Sequence, residues 1–136
     1  MIEFFNEDIS FQIDSPNQIR SWIEQVISTE KCITGDINYI FTSDNYLLSI
    51  NQEYLQHNSF TDIITFDQSS DPLTISGDIY ISIERVSSNA LQFDQSFEME
   101  LRRVLVHGVL HLIGYNDKSS EEKSEMRKKE EAYLSL

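Results

Sequence analysis

The spacing of apolar residues predicts short strands that alternate with amphipathic helices along the chain. β-Branched and aromatic residues, in short runs or alternating with polar ones, predict strands over residues 1–5, 9–13, 35–42, 61–66 and 75–82. Apolar residues at helical spacing predict helices over residues 16–30, 44–55, 83–93 and 97–113, and a capping box predicts a last, strongly charged helix over residues 120–134. No repeat or linker interrupts this alternation, so we expect one domain over residues 1–136 with an α/β or α+β layer structure.

Residues typical of helix ends support these boundaries. Ser15 precedes Pro16, a pair that predicts a capping hydroxyl followed by proline at the first helical position. Ser119 and Glu122 have the spacing of a capping box, in which each side chain bonds to the backbone of the other residue. Gly114 follows the most apolar helix, and a residue that tolerates positive φ is expected to end that helix there.

The composition is that of a globular protein. Hydrophobic residues make up 40% of the 136 residues and charged residues 24%, which provides enough apolar surface for a core. The first residues carry neither a basic segment nor a long apolar run, and no run reaches the length of a membrane span. Cys32 is the single cysteine, which excludes an intrachain disulfide and fits a reducing compartment. We therefore expect a cytoplasmic protein without membrane or disulfide partners, in which Cys32 is a small packing residue.

Charge is distributed unevenly along the sequence. The formal net charge is −13, which argues against broad nonspecific binding to nucleic acids. Residues 1–100 hold three of the ten basic side chains, and residues 101–136 hold the other seven. The basic residues therefore cluster late in the chain, where either an anion-binding surface or solvated helix faces can explain them.

Two of the three histidines lie four residues apart in the most apolar predicted helix. The spacing of His107 and His111 places both imidazoles on one face of a helix, one turn apart. If Gly114 ends the helix, the chain can turn back and bring Asp117 toward the same point. Two imidazoles and one carboxylate form a three-ligand site with a position left for water, as in catalytic zinc sites.

Residues 107–117 follow the pattern H-x-x-x-H-x-x-G-x-x-D, which shares its spacing with a class of zinc metalloproteases. Those proteases have a glutamate after the first histidine as general base, and this chain has Gly108 there, which argues against a peptidase. The other alternative is two core histidines followed by an ordinary helix end. Burying two imidazoles without partners is costly, which favours the metal site.

Four motifs follow one another along residues 35–117. They are Asn51-x-x-Tyr54, Thr61-Asp62-Ile63-Ile64-Thr65-Phe66, Gly77-Asp78-Ile79-x-Ile81-Ser82 and His107-Gly108-x-Leu110-His111-Leu112-x-Gly114-Tyr115. Together, and in this order, they resemble the YbeY family, the endoribonucleases and rRNA maturation factors of bacteria. Several motifs at compatible spacings are much harder to obtain by chance than one.

The resemblance implies a fold, an activity and a cofactor. The fold is α+β, with a small mixed sheet of about four strands packed with about five helices and the metal motif on a buried helix. The activity is metal-dependent cleavage of single-stranded RNA, in 16S rRNA maturation and ribosome quality control. The implied partners are a single-stranded rRNA precursor and the small ribosomal subunit or its proteins. The implied cofactor is one Zn²⁺ per chain, or another divalent metal, held by His107, His111 and residue 117.

The third ligand position differs from the family pattern. The family usually has Asp-His after the tyrosine that matches Tyr115, and this chain has Asn116-Asp117. Aspartate is a competent zinc ligand, so Asp117 is expected to complete the site. A carboxylate also shifts the preference of the site slightly toward harder metals such as Mn²⁺.

A second difference removes a cation from the expected catalytic site. The family tends to have an arginine after the residue that matches Tyr54, and this chain has Leu55. Three arginines are candidates to replace it in stabilising charge that develops on a phosphate: Arg85, Arg102 and Arg103. No general base adjoins the ligand histidines, so His57 is the candidate for that role, with an exposed loop histidine as the alternative.

Several other residues are candidates for supporting roles. Asp62 and Asp78 occupy strand positions where the family also has Asp, and each can orient a ligand imidazole or serve a structural role. Tyr115 adjoins the metal motif, and either Tyr115 or Tyr54 can stack on RNA bases or pack in the core. Met126 is expected to be a packing residue near the site.

Two functions remain open from the sequence. The first is a metal-dependent endoribonuclease, a hydrolase that acts on phosphoester bonds. The second is a noncatalytic ribosome-assembly or RNA-binding factor that retains a metal site. The open coordination position favours the enzyme, because structural zinc is normally closed by four protein ligands. The missing arginine and the acidic charge favour the binding factor.

Overall fold

The computed structural model describes residues 1–136 as one four-stranded sheet with five helices. The elements in chain order are β1 (Ile2–Asn6), α1 (Pro16–Thr29), β2 (Ile33–Thr42), α2 (Asp44–Tyr54), β3 (Ile63–Asp67), β4 (Thr74–Ser82), α3 (Ile83–Gln92), α4 (Phe97–Ile113) and α5 (Ser120–Leu134). The α+β class is confirmed, as is the small mixed sheet of about four strands with about five helices.

The sheet is mixed and has the strand order β1-β2-β4-β3. β1, β2 and β4 are parallel to one another, and β3 is antiparallel to β4 at one edge. Helix α1 connects β1 to β2, as the crossover between two parallel neighbours requires.

The main core lies between one face of the sheet and helices α1 and α4. Every second residue of β2 points into it, and Ile37, Tyr39 and Phe41 are fully buried. The hydroxyl of Tyr39 donates to the carbonyl of Leu105 on α4 at 2.8 Å, which satisfies the one polar atom of a buried ring. A smaller cluster of Leu47, Ile50 and Ile64 packs α2 against β3.

The predicted strand over residues 9–13 is wrong, because these residues have no regular structure. The ring of Phe11 packs edge-on against Phe41 and Phe97, with centroid distances of 5.0 and 5.9 Å. The side chain of Asn6 donates to the carbonyl of Phe11 at 2.7 Å. The alternation of apolar residues at 9, 11 and 13 therefore comes from side chains that cover the edge of the core, not from a strand pairing.

The helix ends agree with the sequence except at Ser15. Helix α1 begins at Pro16, but Ser15 has a φ of 51° and its side chain caps nothing. A capping residue needs extended backbone for its hydroxyl to reach the first turn, and the left-handed conformation of Ser15 prevents this. The capping box of Ser119 and Glu122 is confirmed, and Gly114 ends α4 with a φ of 127°.

No helix combines the length and the apolar character needed to cross a membrane. Cys32 is half-buried beside the main core, as predicted for a packing residue.

Candidate metal centre

Three side chains from α4 and the loop after it converge at one point. The Nε2 atoms of His107 and His111 lie 2.9 Å apart. The Oδ2 atom of Asp117 lies 3.3 Å from each of these two nitrogens. These three residues form a group whose donor atoms can hold a metal ion. The structure thus brings together the three residues that the sequence predicted as ligands, and their binding of an ion stays a prediction.

The end of α4 explains how Asp117 reaches the histidines. The backbone N–H groups of Gly114 and Tyr115 both donate to the carbonyl of Leu110, at 3.1 and 3.0 Å. These bonds close the last turn and reverse the chain, which the positive φ of Gly114 permits. The next helix begins right after the capping residue Ser119, so the loop that carries Asp117 is short and fixed at both ends.

Both imidazoles are mostly buried, with side-chain exposures of 15% for His107 and 24% for His111. Burial lowers the pKa of His111, and the neighbouring His107 lowers it further, while the Asp117 carboxylate opposes the shift. A lowered pKa keeps the His111 ring neutral near pH 7, and a neutral ring is the form that binds metals.

The second nitrogen of His107 has a buried partner on α5. Its Nδ1 lies 2.5 Å from Oε2 of Glu130, a residue that is 5% exposed. A carboxylate that accepts the Nδ1–H fixes the orientation of the ring and leaves the lone pair of Nε2 facing Asp117. Glu130 is therefore part of the site, although the sequence analysis did not identify it.

A weak signal for Glu130 is present in the sequence. Met126, Glu130 and Tyr133 are spaced four and three residues apart, and they are the buried residues of α5. A charged residue on the core-facing side of a helix needs a partner, because an unpaired buried charge is costly. The sequence indicates the need for a partner but not which residue provides it.

Arg103 connects the acidic groups behind His107. Its guanidinium pairs with Glu100 at 2.6 Å, with Glu130 at 3.3 Å and with Asp62 at 3.7 Å. These partners outweigh burial and raise the pKa of Arg103 above its already high usual value, so the side chain stays charged. Arg103 is thus held in an ion-pair network behind the ligand candidates and does not line the cleft.

The three ligand candidates lie in a cleft of about 430 Å³ between α4 and the loop from Leu55 to Asp62. His57 and Asp62 also line this cleft, and none of its lining residues is a lysine or an arginine. Burial raises the pKa of Asp62 despite the opposing effects of Arg103 and His107. His57 thus lines the same cleft as the ligand candidates, and its catalytic role stays a prediction.

The remaining arginine candidates have other partners. Arg85 forms an ion pair with Asp44 at 2.6 Å. Its guanidinium lies over the ring of Phe60, which lines the cleft, so Arg85 is behind Phe60 and does not itself line the cleft. The guanidinium of Arg102 lies 4.5 Å from the ring centroid of Trp22. Neither arginine lines the cleft, so neither replaces the cationic side chain that is missing at Leu55.

The other supporting candidates have structural contacts. Asp78 accepts a hydrogen bond from Asn38 on the neighbouring strand at 3.0 Å and does not line the cleft. The hydroxyl of Tyr115 donates to Glu30 at 2.6 Å, which ties the loop after α4 to the end of α1. Tyr54 is 63% exposed and packs edge-on against Phe66. Met126 is buried in the main core.

Gly108 packs directly against the sheet. A Cβ atom at this position would lie 2.9 Å from Ile63 Cδ1 and 2.9 Å from Ile79 Cγ2. Such distances leave no room for a side chain unless the side chains of Ile63 and Ile79 or the helix itself shift. The glutamate that metalloproteases carry at this point of the motif therefore does not fit here, which agrees with the argument against a peptidase.

The fold and the site define an α+β protein with a candidate metal centre at the end of its most buried helix. The sequence model of a family described as Endoribonuclease YbeY matches residues 2–136. The chain therefore belongs to the YbeY family, and the resemblance inferred from its motifs is confirmed.

Individual relatives agree with this assignment. The Endoribonuclease YbeY of Amoebophilus asiaticus is 50% identical over 133 residues, which cover 98% of this chain and 90% of that protein. The Endoribonuclease YbeY of Flavobacterium psychrophilum is 52% identical over 132 residues, covering 97% and 94%. The solution structure of TM1509 from Thermotoga maritima matches with a TM-score of 0.68 and 29% identity, covering 98% of this chain and 87% of that one.

Proposed function

We propose that the chain is a metal-dependent endoribonuclease that cleaves single-stranded RNA. His107, His111 and Asp117 bind one divalent ion, for which zinc is the first candidate. Family membership supports the endoribonuclease activity, because the matching family and its relatives carry that name. The proposal includes a role in 16S rRNA maturation and ribosome quality control, with an rRNA precursor and the small ribosomal subunit as partners.

The observation that carries the metal site is the spacing of its donor atoms. A tetrahedral zinc ion with bonds of about 2.0–2.1 Å has donor atoms about 3.3–3.4 Å apart. The two nitrogen–oxygen distances here are 3.3 Å and the nitrogen–nitrogen distance is 2.9 Å. The two nitrogen–oxygen distances match this spacing, and the nitrogen–nitrogen distance is shorter, so the two rings would move slightly apart around a bound ion. The fourth corner of the tetrahedron would stay free for water or substrate.

The charges around His107 also support a cation. Four carboxyl groups contact either the two histidines or Arg103: Asp62, Glu100, Asp117 and Glu130. Arg103 is the one lysine or arginine in this group of residues. Negative charge stays in excess even when Asp62 carries a proton. A divalent ion would balance this excess in a region that is largely buried.

The residues of the chain have separate roles in this mechanism. When bound, a divalent ion supplies Lewis-acid polarisation of a phosphoryl group and a means of activating water. Glu130 accepts the Nδ1–H of His107 and so holds its Nε2 lone pair toward the cleft. His57 faces the same cleft, where an imidazole nitrogen can accept the proton of the attacking hydroxyl or water.

One observation favours the alternative of a noncatalytic RNA-binding or ribosome-assembly factor with a retained metal site. The cleft presents no lysine or arginine to stabilise charge on a phosphate, and Leu55 lines it where the family tends to have arginine. Under this alternative the protein binds metal and RNA but does not cleave RNA.

Cleavage of a labelled single-stranded RNA and of its duplex form tests the proposal. We expect the metal-loaded wild type to cleave the single strand in preference to the duplex. Asp117→Ala should weaken metal binding and cleavage together, whereas Asp117→His should retain both, because imidazole is also a zinc ligand. Asp14→Ala, which changes an exposed aspartate far from Asp117 in the sequence, is the matched control.

Two results would decide against the enzyme. Metal-loaded wild type that binds RNA without cleaving it would support the noncatalytic alternative. Cleavage that persists unchanged in metal-free His111→Ala would mean that another nuclease or another site is responsible.

A further inference from the structure

One aromatic side chain stands exposed at the wall of the cleft. Phe60 lines the cleft and is 49% exposed. The guanidinium carbon of Arg85 lies 5.1 Å from the centroid of its ring, a cation–π contact that covers one face. Arg85 itself is fixed by Asp44, with contacts of 2.6 and 3.3 Å from two of its nitrogens. The ring therefore has a rigid support although much of it remains in solvent.

The loop that carries Phe60 is anchored to helix α2. The side chain of Asn51, which is 3% exposed, donates to the carbonyl of Ser59 at 2.7 Å. The N–H of His57 donates to the carbonyl of the same Asn51 at 3.1 Å. Asn51 thus holds the loop at two points shortly before Phe60, through its backbone carbonyl at His57 and its side chain at Ser59, which restrains the position of the ring.

The cleft has little means of attracting a phosphate backbone through its side chains. None of its lining residues is basic, and Arg85 is neutralised by Asp44. The chain as a whole carries a net charge of −13. Nucleic-acid affinity normally comes from neutralised phosphates, so an RNA ligand of this cleft needs another source of affinity besides the metal.

We propose that Phe60, backed by Arg85, is a stacking platform for one unpaired nucleobase of the RNA. The inference rests on the proposed function and adds to it the part of the RNA that the cleft contacts. Every nucleobase has a face that stacks on an aromatic ring, and only an unpaired base can turn that face to a protein side chain. The platform would therefore also favour single strands over duplexes.

Phe60 fits this role better than the tyrosines near the site. The hydroxyl of Tyr115 bonds to Glu30, and Lys129 lies 5.5 Å from its ring centroid. Tyr54 packs edge-on against Phe66 and does not line the cleft. Phe60 is the aromatic ring of the cleft that is both exposed and supported on one face.

Binding of two ten-nucleotide probes to the metal-loaded protein tests the platform by fluorescence anisotropy. One probe is an oligoadenylate with 2′-O-methyl sugars, which resist cleavage, and the other has the same backbone without bases. Phe60→Leu should weaken oligoadenylate binding about tenfold, because one stacked base is lost, and should leave binding of the abasic probe unchanged. Phe60→Trp should restore oligoadenylate binding. Phe93→Leu, at a phenylalanine that is 57% exposed and outside the cleft, is the matched control.

Salt dependence provides a second readout. Because the cleft has no basic side chains, we expect the logarithm of the binding constant to fall with the logarithm of salt concentration with a slope of about −1 or shallower. A slope steeper than about −3 would mean that several phosphates are neutralised by the protein, and it would overturn the proposal.

The results separate this inference from the proposed function. Wild type that cleaves RNA but binds oligoadenylate no better than the abasic probe would refute the platform alone. Equal losses of both probes in Phe60→Leu would also refute it, because the ring would then act through the shape of the loop. Wild type that binds single-stranded RNA through Phe60 without cleaving it would refute the enzyme and keep the platform.

Discussion

At the scale of single residues, the contact between His107 and Glu130 controls which nitrogen faces the cleft. The 2.5 Å contact of Nδ1 with a buried carboxylate leaves Nε2 as the donor atom. The same carboxylate pairs with Arg103 at 3.3 Å, so its charge and position are both fixed. The geometry points to a positioning role for Glu130, which would act on a bound metal through the ring of His107.

Glu130→Gln should therefore weaken metal affinity about 10–100-fold, the usual cost of losing a carboxylate that orients a ligand histidine. Competition with a chromophoric chelator measures this change. Nitrogen chemical shifts of the His107 ring should show a mixture of tautomers in the variant and a single tautomer in wild type. Glu131→Gln, at the exposed neighbouring glutamate, should change neither quantity. A folded Glu130→Gln variant with wild-type affinity would remove Glu130 from the site.

The residues that could be predicted are related to one another locally in the sequence, whereas the missed residue is related to its partner only through the packing of two helices. His107 and His111 could be predicted because their relation is local, since a helix places residues four apart on one face. Asp117 followed from the helix end at Gly114. Glu130 lies 23 positions from its partner, and no periodic pattern links residues on two packed helices. Its position became clear only once α5 was seen against α4.

At the scale of elements, Glu30 joins the end of α1 to both α5 and the loop after α4. Its carboxylate accepts hydrogen bonds from Tyr115 at 2.6 Å, from Lys129 at 3.1 Å and from the hydroxyl of Tyr133. Burial raises the pKa of Glu30, but these donors together lower it more, so the net shift is downward. The ionised carboxylate therefore stabilises the packing of three segments.

Glu30→Gln should destabilise the protein in a way that depends on pH. A carboxyl group with a lowered pKa contributes stability above its usual pKa and loses it as the pH falls through the lowered value. The difference in unfolding free energy between wild type and variant should be largest at pH 6–7 and should shrink toward pH 3. Urea unfolding at several pH values measures it, with Glu24→Gln on the exposed face of α1 as control. A difference that is the same at pH 3 and pH 7 would contradict the account of Glu30.

The elements themselves were mostly predictable from the sequence. Most helices combined apolar residues at helical spacing with a recognisable end, such as Gly114, and the last helix was recognised by the capping box at Ser119. The strand at 9–13 was wrong because alternation alone does not distinguish a paired strand from an extended segment whose side chains cover the core. Phe11, packed between Phe41 and Phe97, produces the alternating pattern without any strand partner.

At the scale of the whole molecule, the overall negative charge of the chain and the local charge at the candidate metal site have the same sign and the same consequence for binding. The net charge of −13 and the excess of carboxylates around His107 both favour binding of a small cation over attraction of a polyanion. In the proposed site a bound ion would provide the positive charge that the side chains of the cleft lack, and an RNA substrate would be held by the ion and by its bases.

The central claim is that His107, His111 and Asp117 hold one divalent ion. The most direct test is the metal content of protein purified without an affinity tag, measured by mass spectrometry for wild type and for His111→Ala. We predict about one zinc, or an equivalent amount of another divalent metal, per wild-type chain and almost none in the variant. Wild type without metal, or equal metal in both proteins, would contradict the claim.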